Sequence, residues 1–265
     1  MSRFLADLRR PQLEASIQPN PAPPIALFPI GATEQHGPHL PMSVDTIIAE
    51  EIAKSLGDEV GEECNLWLLP AASVSKSNEH LDMGAVSLSA PTMDAVLNDI
   101  AASVVRLGFK RLVLLNAHGG NTTLLGTALR EIRLAHGLMT FLIHPFVPPA
   151  YGGTSNEHEL GMGIHGGHDE TSLMLHLRPD LVELGAAGRA IPEKLASNTH
   201  VRFGGSTSFG WTTSDLSSTG HIGDPTGATA EIGASLFAQA VSLLGDQIRE
   251  ISTFSFPYGP DAPTG

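Results

Sequence analysis

The chain has 265 residues, with 15 lysines and arginines against 28 aspartates and glutamates and a formal net charge of −13. That length predicts one large domain or two small ones, and the shortage of clustered positive charge argues against nucleic acid or an anionic membrane as the main partner. Hydrophobic residues at 42% exclude wholesale disorder, and Cys64, the single cysteine, excludes an intrachain disulfide or a thiolate zinc site. Histidine stands out, with 12 copies against 2 Trp and 2 Tyr.

In chain order, short apolar runs alternate with helical patterns, the signature of a parallel α/β sheet covered on both faces. Residues 25–30 read as a first strand. Residues 44–56 read as a helix, with Ile47, Ile48, Ile52 and Leu56 at helical spacing. A second strand is predicted over 66–70, and a second helical pattern, beginning at Pro91 and closed by Gly108, carries an apolar stripe of Met93, Val96, Leu97, Ile100, Val104 and Leu107. Residues 111–115 are the clearest buried strand, followed by a helix to about Arg133 and a strand over 138–143. The segment 145–167 is rich in Gly and Pro and too long for a plain connection, which marks it as functional. A helix over 171–177 ends at Pro179. Residues 185–225 are Gly/Ser/Thr-rich with few clear elements, and 228–251 form a long C-terminal helix. A single domain over 1–265 is expected, with 1–20 an N-terminal extension and 252–265 a tail. The N-terminus has no long apolar stretch or cleavage signal. The uncharged run 134–156 is broken by Pro145, Pro148 and Pro149, so no membrane span is expected. The expected location is the cytoplasm.

Three segments just after a strand or at a helix start carry the chemistry, where open parallel sheets bind ligands. The first is Glu34-Gln-His36-Gly-Pro-His39, followed by Asp45. Glu34 and His36 project to the same side of an extended segment, and carboxylate with imidazole suits Zn²⁺, Mn²⁺ or Fe²⁺. Asp45 alone also reads as a helix cap, and His39 as a structural or supporting group. The second segment is Asn116-Ala-His118-Gly-Gly-Asn121, whose glycines permit close approach of an ion or substrate and whose Asn121 or Thr122 would cap the next helix. The third is His165-Gly-Gly-His168-Asp-Glu170, in which His168 and Asp169 read as supporting or capping groups. A polar cluster, Ser75-Lys-Ser-Asn-Glu79-His80, adds a further histidine. The pattern Gly161-Met-Gly-Ile-His-Gly166 imitates a dinucleotide loop, but no strand precedes it. No Gly-x-Ser-x-Gly elbow offers a serine nucleophile.

These motifs, with the late stretch Gly220-His-Ile-Gly-Asp-Pro-Thr-Gly, strongly resemble the creatininase family over roughly residues 20–250. The resemblance implies a three-layer α/β/α sandwich with a mostly parallel sheet. It also implies a two-metal site for amide C–N hydrolysis and a homo-oligomer, often a hexamer. Carried over by position, it implies Glu34, His36, Asp45 and His118 as metal ligands, with Asp45 bridging both ions, and His165 near the substrate. Creatininase itself carries a ligating Glu where this chain has Gly120, so Glu170 is inferred to supply that carboxylate. The tryptophans of the creatinine pocket have no counterpart within 145–167, which argues against creatinine as substrate. His80 resembles part of a substrate-side loop, and His80, Gly119 and His165 are the expected substrate contacts.

The expected function is hydrolysis of a non-peptide amide, cyclic amide or formamide bond by a metal-bridging hydroxide, on two ions of Zn, Mn or Fe. His165 and Glu170 are the expected catalytic residues, with His165 passing a proton to the leaving nitrogen. Peptide trimming by a relative of the same family, or metal and ligand binding without catalysis, are the alternatives.

Overall fold

A computed structural model describes residues 2–17, 22–146 and 157–258. The elements are α1 (Arg10–Ser16), β1 (Ile25–Ile30), β2 (Thr33–Glu34), α2 (Val44–Val60), β3 (Leu66–Leu68), β4 (Ala85–Val86) and α3 (Ala90–Arg106). They continue with β5 (Arg111–Asn116), α4 (Thr122–His136), β6 (Met139–Ile143), α5 (His168–Leu177), α6 (Glu193–Ala196), α7 (Thr213–Leu216) and α8 (Ala230–Thr253).

The main sheet has the order β3-β1-β5-β6, and its pairs are all parallel. Every residue of β1 and β5 is buried, because helices cover both faces of the sheet. Alternation sorts the strand side chains. Ile25, Leu27, Val113 and Leu115 join a core with α2, α5 and α8, built on Ile48, Ile52, Leu173, Leu244 and Ile248. Ala26, Phe28, Leu112 and Leu114 face the other way, against Met93, Leu97 and Val104 of α3 and Leu125 and Ile132 of α4. The result is three layers, as the resemblance implied.

From β1 the chain passes through α2 to β3 on one side, and later through β5 to β6 on the other. The winding therefore reverses between β1 and β5, and the crevice beyond their carboxyl ends is where such sheets bind ligands. Gly31 to Asp45 leaves β1 there, and Ala117 to Asn121 leaves β5 there.

Several sequence expectations shift. The strand predicted over 66–70 stops at Leu68, ahead of Pro70. A small antiparallel pair, β2 with β4, was not foreseen; two residues per strand are too few to show a period. The helix that continues over 171–177 begins at His168, within the third motif, which the sequence places at a helix start. Its first amide, His168 N, donates to Glu159 Oε1 at 3.0 Å, a cap supplied from another segment rather than from the preceding residues. Much of 145–167 falls on residues 147–156, outside the described residues. At the far end, Arg111 donates through Nε to the Ile251 carbonyl (3.0 Å) and through a terminal nitrogen to the Phe254 carbonyl (2.8 Å), tying the end of α8 to the start of β5. No helix among the described residues is long and apolar enough to cross a membrane.

Candidate metal centre and its cavity

Glu34 Oε1 is the point on which the expected residues converge. His118 Nδ1 lies 3.2 Å from it, His80 Nε2 3.5 Å, His165 Nδ1 3.6 Å and His36 Nε2 4.0 Å. Asp45, in the first turn of α2, turns Oδ1 to His36 Nε2 at 3.3 Å and Oδ2 to His118 Nδ1 at 3.2 Å. Glu170 Oε2 stands 3.9 Å from His36 Nε2. Glu34, His36, Asp45, His118 and His165 are all buried.

The imidazoles are fixed by their outer nitrogens. A carbonyl can only accept, so His36 Nδ1–H donates to Glu34 O (3.0 Å), His118 Nε2–H to Lys76 O (3.1 Å) and His165 Nε2–H to Gln35 O (2.6 Å). Each of these rings therefore turns its other nitrogen into the cluster, the one a metal ligand would use once its proton is displaced. Thr213 Oγ1 donates to Glu79 O at 2.9 Å and so accepts from His80 Nδ1–H at 2.7 Å, which leaves His80 Nε2 free as well. His36 Nε2 and Asp45 Oδ2 are buried with no hydrogen-bond partner. Buried polar atoms are seldom left so, and a cation between them would satisfy both. Among the described residues, three sets of donors have ligand atoms within 4.8 Å of one another: Glu34, His36 and His165; Glu34, Asp45 and His118; His36, Asp45 and Glu170.

Electrostatics say the same. Burial pushes the His36 imidazole down, but Asp45, then Glu170 and Glu34, outweigh it and hold the group at about 9. His118 is likewise raised, as burial is overcome by Glu34 and Asp45. Burial, helped by Asp45 and Glu34 against His36, lifts Glu170 to about 7. His165 is pushed well down by burial and by His36 and His80, so it is neutral. The cluster holds more carboxylate than its histidines balance, which is a cation's role to correct.

Local backbone explains the placement. Gly166 adopts φ +61°, and a Cβ there would lie 2.7 Å from His221 Cβ and 2.9 Å from the His36 carbonyl oxygen. Only glycine fits this turn, which sets His165 against the His36 loop while α5 brings Glu170 back. Gly166 N then donates to Glu170 Oε2 at 2.6 Å. His165 is also held by a bridge to Ile222, whose N–H donates to the His165 carbonyl at 2.7 Å.

Two capping expectations fail. Asn121 makes no side-chain cap of α4; its amide donates to Ser75 Oγ (3.0 Å) and Asn116 Oδ1 (3.2 Å) and accepts from Lys76 N (3.2 Å), joining two site loops. His168 and Asp169 pair with each other at 2.9 Å rather than capping α5. His39 lies behind the site, 3.0 Å from Thr171 Oγ1 and edge-on to His221. Sequence reasoning passed over Ser77, whose hydroxyl donates to Glu34, and Gln35, whose amide bonds Gly220 O at 2.8 Å. The aromatic wall lies outside 145–167. Trp211 supplies it from elsewhere, edge-on to His80 at 6.1 Å and to Phe203 at 5.5 Å, with Phe209 behind Phe203. These aromatics, with Gly119 and His165, line a cavity of about 510 Å³ above the cluster.

Comparison with known proteins agrees. The family profile described as "Creatininase: Creatinine amidohydrolase" matches residues 6–248. The chain is 32% identical over 232 residues to the mycofactocin precursor peptide peptidase of Mycolicibacterium smegmatis, covering 85% of each chain. It is 33% identical over 198 residues to the creatinine amidohydrolase of Pseudomonas putida, covering 69% of this chain and 75% of that one. Among solved structures, one titled "Creatininase Mn" superposes with a TM-score of 0.75 at 26% identity, covering 96% of this chain and 100% of the other. A mutant creatininase of "Zn-Zn type" gives 0.74 at 25% identity, covering 96% of this chain and 100% of the other.

Proposed function

The chain belongs to the creatininase family, and on that premise we propose that it is a metal-dependent hydrolase of an amide C–N bond. The observation that carries this reading is the pair of unpartnered buried atoms, His36 Nε2 and Asp45 Oδ2, at the centre of donors whose tautomers are fixed from outside. Glu34, Asp45 and His118 would hold one divalent ion, and His36, Asp45 and Glu170 a second, with Asp45 shared. Zn, Mn or Fe bound there would supply a nucleophile at neutral pH and a Lewis acid for the substrate carbonyl.

The chain's own groups do the rest. His165, neutral and with its Nδ1 lone pair facing the cluster, takes a proton and returns it to the leaving nitrogen, a step worth roughly 10²- to 10⁴-fold. Its Nε2–H stays on the Gln35 carbonyl, so proton traffic is confined to Nδ1. The His80 ring stacks on His165 at 4.1 Å, and Trp211, edge-on to His80, adds an aromatic side to the cavity. The cavity of about 510 Å³ falls in the range of roughly 300–1,000 Å³ that takes a drug-sized ligand, more than a single small ring fills. That size, together with the likeness to the mycofactocin precursor peptide peptidase of Mycolicibacterium smegmatis, supports an amide near the end of a peptide as substrate. The Pseudomonas putida creatinine amidohydrolase supports the second reading, a smaller non-peptide amide or formamide.

Elemental analysis should find close to two divalent ions per chain. Turnover of short peptides, lactams, cyclic ureides and formamides by Zn- and Mn-loaded protein separates the two substrate readings. Tight metal binding with no turnover on the whole panel would overturn the hydrolase in favour of a binding protein.

A further inference from the structure

Gly119 and Gly120 sit side by side in the His118 loop, yet the space around them differs. A Cβ added to Gly119 meets nothing within 4 Å. One added to Gly120 would lie 1.6 Å from Glu79 Oε1 and 2.6 Å from His118 Nε2. Gly120 is not in the left-handed region, so its backbone does not demand glycine; the space does. A carboxylate from a different segment fills the place a side chain would take.

We propose that Glu79 is a positioning residue for the ligand His118, and that Gly120 exists to admit it. The inference rests on the metal reading above. Glu79 Oε1 lies 3.6 Å from His118 Nε2, the nitrogen facing away from the ligand cluster, while Oε2 is held by Lys76 Nζ at 3.0 Å. The side chain is only 11% exposed. It belongs to none of the three donor sets, so its place is behind the imidazole.

The segment that delivers Glu79 is itself fixed to the site. Ser75 Oγ donates to Gly31 O at 2.7 Å, and Ser77 donates to Glu34. One loop thus supplies both the Lys76 carbonyl that accepts the His118 N–H at 3.1 Å and the Glu79 carboxylate 3.6 Å from the same nitrogen. A carboxylate behind a ligating imidazole fixes the ring and makes its free nitrogen a better donor; removing one costs about 10- to 100-fold in metal affinity or activity. Glu79 thus joins residues 75–80, which the sequence marks only as a polar cluster, to the strength of the metal site.

The test measures Zn²⁺ affinity of the full chain by competition with a chromophoric chelator, and the visible spectrum of the Co²⁺-loaded protein. Glu79→Gln keeps shape and removes charge. It should weaken one of the two ions by about 10- to 100-fold and shift the Co²⁺ bands, while the melting temperature of chelator-treated protein stays nearly unchanged. Gly120→Ala, whose Cβ would crowd both Glu79 Oε1 and His118 Nε2, should lose at least as much. Glu79→Gln with Zn²⁺ affinity within twofold and an unshifted spectrum overturns the inference, and a melting temperature that falls alone assigns Glu79 a purely structural role. If Gly120→Ala does not fold, Glu79→Gln decides by itself, since it adds no bulk. A starting chain that binds no Zn²⁺ overturns the metal reading and this inference together; two ions bound equally well by both proteins overturns only this one.

Discussion

Residues 31–45 and 116–121 build the floor of the cavity from the ends of two hydrogen-bonded strands, whereas residues 202–211 build its wall without a helix or strand. On the floor, ring nitrogens are fixed by the carbonyls of Glu34, Gln35 and Lys76. The wall is held by side chains instead, Arg202 on the carbonyls of Ala196 and Leu160 and aromatic edges meeting at Trp211. Ligand geometry tolerates little error, so it rests on backbone that the sheet has already ordered. Substrate shape can be met by exchangeable side chains on an irregular segment. The same floor can thus serve different substrates under different walls.

The largest break in this comparison is at Asp45, whose two oxygens face His36 and His118. Asp45→Asn should lose both ions and lower turnover by about 10³-fold or more, with no change in the wall. Metal content by elemental analysis alongside kcat checks it. Two ions retained in Asp45→Asn would mean the floor is not where they sit.

The floor also has a pH signature that the wall lacks. In chelator-treated protein His36 is held at about 9, above the unfolded value of about 6.5. Its contribution is therefore complete below about 6.5 and is lost as pH rises through about 9. His39, at about 4, and the lowered His80 and His165 act oppositely, but their gain is complete by about 6.5. Raised His118 adds to the loss. Stability to urea should thus fall by roughly 3 kcal/mol between about pH 6.5 and 9, and metal, by replacing the proton, should remove the fall. A flat profile without metal would show that the carboxylates do not hold these protons.

The two regions were also unequally legible. Long buried runs mark β1 and β5, and 3.6-residue stripes mark α2, α3, α4 and α8, because burial on both faces leaves a local trace. Glu34, His36 and His118 stand in polar segments that follow such strands, and it is the family resemblance that marks them, with Asp45 on α2, as expected ligands. β2 and β4 left no trace at two residues each. The start of α5 is legible in the third motif, but its cap is not: Glu159, nine positions earlier, supplies it. Ser77, Glu79 and Trp211 reach the site only through contacts between distant segments, which no window along the sequence contains.

Glu170 stands between the regions, on α5 but facing the floor. Glu170→Gln should lose one ion and about 10²-fold in activity, because a catalytic ion usually needs three protein ligands and His36 with Asp45 supplies two. Asp169→Asn, one residue away and paired with His168, should change metal content little. The rival role, stabilising the start of α5, is worth roughly 0.3–1 kcal/mol and would cost stability without costing an ion. Elemental analysis of the two variants, with their melting temperatures, decides between these roles.

The smallest effect tests the wall alone. Trp211 is half-buried, edge-on to His80 and Phe203, and touches no floor carboxylate through any hydrogen bond found among the described residues. Aromatic contacts of this kind contribute about 0.5–1.5 kcal/mol beyond area burial. Trp211→Ala should therefore raise KM by up to about tenfold on a substrate identified from the panel, with kcat within about threefold and two ions still bound. Loss of uniform binding raises KM alone, whereas damage to the floor lowers kcat. Trp211→Phe keeps an aromatic edge against His80 and should recover most of the KM. A Trp211→Ala protein that loses kcat and an ion together would mean that the wall sets the position of His80 and the metal ligands beneath it, and that floor and wall are one device.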